Sequence, residues 1–103
     1  MPELSHLKSS LSTAINSRAD ELKRIALDIL DHPESGYREV RTSTLVADWL
    51  RTIGLQVQSG IAKTGIIATL DTGRPGPHVA VMGELDSLIL PDHAHANAET
   101  GAA

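Results

Sequence analysis

Apolar residues recur at helical intervals through the first third of the chain. Leu4, Leu7, Leu11 and Ile15 are spaced by three and four, and Leu22, Ile25, Ala26 and Ile29 repeat the period in a second phase. This pattern predicts helix over about residues 4–30. Asn16 and Ser17, just ahead of Arg18-Ala19-Asp20-Glu21, offer a break and a new N-cap, with acids well placed in a first turn. The pattern leaves open whether one helix or two forms. Asp31-His32-Pro33 ends it, because the residue before a proline is pushed out of helical geometry.

A second helix is expected over about 39–53. Leu45, Val46, Trp49, Leu50 and Ile53 make its apolar stripe, while Arg38, Arg41, Asp48 and Arg51 fall largely outside it. Gly54 is placed to close it in a left-handed conformation. Trp49 reads as a packing anchor on that stripe. From Leu55 the period shortens to two. Leu55 to Gln58 alternates as a short strand, and Lys63-Thr64-Gly65 breaks the run. Ile66 to Leu70 reads as a second strand, rich in β-branched residues. Gly73-Arg74-Pro75-Gly76-Pro77 is dense turn chemistry, and His78 to Met82 follows as a third strand. So tight a link predicts that the second and third strands pair as an antiparallel hairpin. Val79 and Val81 alternate with Ala80 and Met82, so this strand is apolar on both faces, as strands inside a covered sheet are. Two helices cover one face of such a sheet and leave the other bare. Residues 91–103 show no apolar period and read as a loop-like tail, leaving 1–90 as the folded part.

Composition narrows the chemistry. Of 103 residues, 41% are hydrophobic, but Phe is absent and Tyr37 and Trp49 are single, so Leu, Ile, Val and Ala must build the core. The net charge of -4 and the lack of a basic stripe argue against nucleic acid. The absence of cysteine removes disulfides and thiolate metal sites within the chain. No apolar run nears the roughly 20 residues that span a bilayer, and the N-terminus has no secretory pattern. A cytoplasmic protein is expected.

The third strand delivers two carboxylates, in Gly83-Glu84-Leu85-Asp86-Ser87-Leu88. Residues two apart on a strand share a side, so Glu84 and Asp86 are expected to face one cavity at the strand's C-terminal end, where open α/β sheets hold ligands. Paired acids there serve metal binding, general base work or orientation of another ligand. The plain alternative is two solvated acids on an exposed loop. Asp92-His93-Ala94-His95, with Glu99 beyond, carries donors suited to transition metals. It lies in an Ala-rich segment with no evident scaffold, and reads first as a solvated loop. His32 reads as a hydrogen-bonded turn residue.

Four segments in register resemble one hydrolase group. Asp31-His32-Pro33-Glu34-Ser35-Gly36-Tyr37 is followed by Arg41-Thr42, opening a helix that ends Trp49-Leu50-Arg51-Thr52-Ile53-Gly54. Lys63-Thr64-Gly65-Ile66, the turn from Gly73 to Pro77, and Glu84-Leu85-Asp86 then follow in order. Together they are similar to the opening of metal-dependent amidohydrolases of the aminoacylase, indoleacetyl-amino-acid hydrolase and aminobenzoyl-glutamate hydrolase type, over about residues 20 to 90. The resemblance implies an α/β fold: the incomplete N-terminal part of a zinc-exopeptidase-like catalytic domain, with two to three helices on a short mixed sheet. It gives Asp86 a role in orienting a metal ligand and leaves Glu84, where the wider superfamily has a metal-binding His, as a support or weak ligand. Intact relatives would use zinc or manganese to hydrolyse N-acyl amino acids or similar small conjugates. This chain lacks most of the ligands and the general base that the resemblance calls for, so no complete metal site, no bound metal and no activity are expected of it alone. The competing expectation is a non-enzymatic remnant or interaction module, self-associating or binding another chain through the uncovered sheet face.

Overall fold

In a computed structural model of the protein, which describes residues 3–103, the helical first third divides in two. Helix α1 spans Leu4–Ser17 and α2 spans Ala19–Asp31. The break falls at Arg18, whose φ of -108° and ψ of 11° leave the helical region. There the Ser17 hydroxyl folds back on the Ala14 carbonyl at 2.7 Å. A serine that bonds its own preceding turn competes with helix continuation, and Asp20 and Glu21 then favour a new start. Residues up to Asp31 form one compact unit and residues 32–103 a second. In the first unit no described residue is buried; Leu4, Leu7, Leu11 and Ile15 all stand in the open.

The second unit is built on helix α3, Val40–Thr52. Its C-terminus closes as the spacing predicts. Gly54 takes φ 93°, its N–H reaches the Arg51 carbonyl at 3.0 Å, and the Leu55 N–H reaches Leu50 at 3.1 Å. That double bond satisfies two carbonyls that the helix itself leaves open. Strands β1, Gln56–Ile61, and β2, Gly65–Thr69, pair antiparallel, with Val57 opposite Ala68 and Ile61 opposite Gly65. The register slips between Gln58 and Ile61, where Gly60 sits at φ 76°. Gly65 has no substitute, since a Cβ there would lie 2.5 Å from the Ile61 carbonyl oxygen. Alternation holds along Ile66–Thr69 and the first three residues of β1: Val57, Ile66 and Ala68 are half-buried, while Gln56, Gln58 and Ile67 face water.

The α/β composition forms as expected, but the hairpin joins the first two strands rather than the last two. Residues 78–82, expected as a third strand, join no ladder, and the sheet is therefore antiparallel rather than mixed. The physical reason lies in the turn before them. Pro75 and Pro77 carry no N–H to start a ladder. Val79, Val81 and Met82 are consequently 84%, 99% and 92% exposed. The tail is more ordered than its composition suggests. Leu88 and Ala103 exchange N–H···O bonds at 3.1 and 2.8 Å, Ile89 bridges Ala102, and Ala102 is buried.

The core is thin. Ala47 and Ala102 are the only buried apolar residues among those described. Full burial of a Leu or Ile side chain stabilises by about 1.5–3 kcal/mol, and none of these side chains reaches it here.

Candidate functional site

The start of α3 has no capping side chain at its own N-cap position, Glu39. Glu34 does that work from the preceding turn. Its carboxylate accepts the Thr42 N–H at 2.6 Å and the Arg41 N–H at 3.0 Å, two of the donors that a first helical turn leaves open. Glu39 is thereby free for a different task. It is 7% exposed, and its carboxylate accepts the Tyr37 N–H at 2.9 Å and the Thr64 hydroxyl at 2.5 Å. Ser43, one turn on, donates to the Thr64 carbonyl at 2.7 Å. The tip of the β1–β2 hairpin is thus held to α3 from both sides of one threonine.

These contacts set the charge of both acids. Partial burial pushes Glu34 upward, but the Thr42 N–H and side chain, the Arg41 N–H and the Arg41 charge together hold it below its usual value of 4.5. The Thr42 hydroxyl is buried outside hydrogen-bonding geometry, so it acts on Glu34 as a nearby dipole. Glu39 is lowered chiefly by the Thr64 hydroxyl, against its burial and the neighbouring negative charge of Glu34. Both are carboxylates at neutral pH.

Backbone strain gathers at the same place. Tyr37, Ala62 and Lys63 take φ of 64°, 46° and 80° without being glycine. Such residues cost roughly 1–2 kcal/mol each unless their surroundings hold them. The Lys63 ammonium lies 5.8 Å from the Tyr37 ring centre, a cation–π contact that ties the two strained positions together.

A cavity of about 1110 Å³ lies between α3, β2 and the segment 77–86. Ile66, Ala68 and Leu70 line it from β2, Val79 and Val81 from the segment, and Val46 and Leu50 from α3. Tyr37, Glu39 and Thr64 line it too, as do Glu84 and Asp86. The structure therefore brings Glu84 and Asp86 to one cavity, though on exposed backbone rather than at the end of a paired strand. Neither carboxylate has a hydrogen bond or ion pair among the described residues. What fixes their position is the next peptide: the Ser87 N–H bonds the Glu34 carbonyl at 2.7 Å.

Metal-binding capacity is a separate matter. Among the described residues no three of His, Cys, Asp and Glu converge as a ligand group. The tail histidines His93 and His95 have ring centres 5.7 Å apart, but His93 Nδ1 is occupied by the His95 N–H at 3.1 Å. Asp92 and Glu99 do not complete a group with them. The residues present do not fit a two-metal centre.

Sequence reasoning missed Glu34, Glu39, Ser43 and Thr64 as one cluster. The available signal was a pair of acids flanking a helix start, where negative charge is favoured.

No family model and no solved structure matches the chain. Curated relatives do. Thermostable carboxypeptidase 1 of Saccharolobus solfataricus is 31% identical over 88 residues, which are 84% of this chain and 22% of that protein. IAA-amino acid hydrolase ILR1-like 2 of Arabidopsis thaliana is 38% identical over 73 residues, 71% of this chain and 16% of the relative. A p-aminobenzoyl-glutamate hydrolase polypeptide of Escherichia coli is 31% identical over an alignment of 122 positions, 81% of this chain and 28% of the relative. The likeness to amidohydrolases read from the motifs therefore extends over most of the chain. No helix among the described residues is long and apolar enough to cross a membrane.

Proposed function

We propose, from this kinship with hydrolases of amino-acid conjugates, that the chain is the N-terminal part of an amidohydrolase catalytic domain. The supporting observation is one of proportion: the match takes in most of this chain but only about a quarter or less of two of the three relatives named, while the carboxylate corner it carries has no third ligand beside it among the described residues. Asp86 is the residue that orients a metal ligand in the complete site, and Glu84 supports it. Zinc or manganese would supply the polarised carbonyl and activated water of amide hydrolysis, held mainly by residues outside this chain. The substrate class is a small N-acyl amino acid or similar conjugate, and the expected compartment is the cytoplasm.

Within this reading, residues 3–103 contribute position rather than turnover. Glu34 holds Ser87, and through it the Asp86 backbone, against the start of α3. Glu39 and Ser43 hold the hairpin tip at the cavity wall. An amidase assay with N-acyl amino acids and added zinc or manganese tests it: the purified chain is expected to show no turnover. Turnover that Asp86→Ala abolishes would overturn the assignment to a part-site.

A further inference from the structure

Helix α1 has little of its own to hold it. Half of its residues are Ser, Thr or Asn, which favour caps and turns over helix interiors. No side chain caps its start, its first turn carries no acid and its last turn no base. A helix of this length is marginal in water unless it packs an apolar face. Yet Leu4, Leu7, Leu11 and Ile15 are 64%, 46%, 61% and 50% exposed. The stripe they make is narrow. Leu4 and Leu11 fall at a, and Leu7 and Ala14 at d, of one heptad frame, with Ile15 beside them at e. That is the seam of a paired helix, not the broad face of one that lies on a sheet or a bilayer. The four segments that resemble amidohydrolases begin only at Asp31, after this helix has ended.

Charge identifies the partner. His6 apart, residues 3–17 carry only Glu3 and Lys8 as charged side chains. These lie five apart, whereas partners on one helix lie three or four apart, so they do not meet each other. Neither side chain has a hydrogen bond or ion pair among the described residues. In the same heptad frame Glu3 falls at g and Lys8 at the following e. Those positions bridge two parallel helices, g of one to e of the other. We propose that α1 pairs with α1 of a second copy of this chain, parallel and in register, with Glu3 of each copy against Lys8 of the other. A two-fold axis repeats the contact, so one sequence supplies both halves of two bridges. Ser10 and Ser17, at the later g positions, bring no like charges together. Two heptads fall short of the roughly 1,200 Å² that stable interfaces bury, so the pair is weak and concentration-dependent. The pairing goes beyond the proposed function and does not depend on it.

Sedimentation equilibrium of the full chain, over a series reaching about 1 mM, is the first test. The mass should rise toward that of a dimer and no further. Leu11→Asp should hold it at the monomer, while urea unfolding followed by Trp49, which lies in the other unit, stays as in the parent chain. Lys8→Glu sets acid against acid and should weaken dimerisation roughly tenfold. Adding Glu3→Lys restores opposite charges and should restore the dimer. The chain has no cysteine, so Ala14→Cys reads the orientation alone. At d of a parallel pair the two thiols come within disulfide reach and should cross-link in a glutathione redox buffer, whereas an antiparallel pair holds them apart. These charge and cysteine variants keep every leucine, so they judge the pairing even where Leu11→Asp unravels α1. A monomer at every concentration would overturn the inference. So would a dimer that Leu11→Asp leaves intact, one indifferent to the charge exchange, or one that Ala14→Cys fails to cross-link. Binding of the chain to phosphatidylcholine vesicles without self-association would overturn it too, and give the face to a bilayer.

Discussion

The Glu39 carboxylate receives the Thr64 hydroxyl across 25 residues of sequence, and with the Ser43 hydroxyl on the Thr64 carbonyl it holds the β1–β2 hairpin tip against α3. Thr64→Val keeps the shape of the side chain and removes the donor. It is expected to speed amide exchange around the tip. In a double-mutant cycle with Glu39→Gln, measured by urea unfolding, the two changes should couple. Additive effects would show that the contact contributes nothing of its own.

Glu34 caps a helix from outside it. Glu34→Ala leaves the Arg41 and Thr42 N–H groups without their acceptor, and should cost about 1 kcal/mol of stability, the usual loss for a removed cap. Chemical denaturation of the variant against the parent chain measures this. An unchanged midpoint would mean that water replaces the carboxylate without loss.

Acid should weaken the same region. Glu34 and Glu39 both have folded-state values below the usual 4.5, so the stability they add is present above that pH and is lost as pH falls below it. Urea midpoints taken from neutral pH downward should drop most steeply below 4.5. The drop should be shallower in Glu34→Gln, which cannot titrate there.

The hairpin tip predicts two substitutions of opposite sign. Ala62→Gly relieves a side chain held at φ 46°, and should stabilise by about 1 kcal/mol, offset in part by the freedom glycine regains on unfolding. Gly65→Ala drives a methyl into the Ile61 carbonyl and should destabilise by roughly 1–3 kcal/mol. Thermal melts of the two variants should therefore bracket the parent; a stabilised Gly65→Ala would contradict the close approach.

How far the fold could be read from the sequence depended on how local each cause was. The C-terminus of α3 was legible because Gly54 closes it through bonds that reach no further than Leu50. Helices and the first two strands followed from apolar period. The hairpin partner did not, because pairing is decided by which edges the turns bring within reach, and Pro75 and Pro77 looked like an ordinary tight turn. The site was half legible. Glu84 and Asp86 stood out by spacing, and the structure sets them on one cavity wall. Glu39 and Thr64 were invisible as a pair, since nothing in either segment announces a partner in the other.

The bond from the Ser87 N–H to the Glu34 carbonyl has one more consequence. The segment that carries Val79 and Val81 is clamped there at one end and at the other by the turn out of β2, where the Gly73 and Arg74 N–H groups are held by Asp71 and Thr72. Between those points no backbone hydrogen bond among the described residues holds the segment, so Asp86 sits next to a fixed peptide while Val81 lies in the unsupported stretch. The acid corner can therefore keep its place while the stretch that leads to it is still free to move.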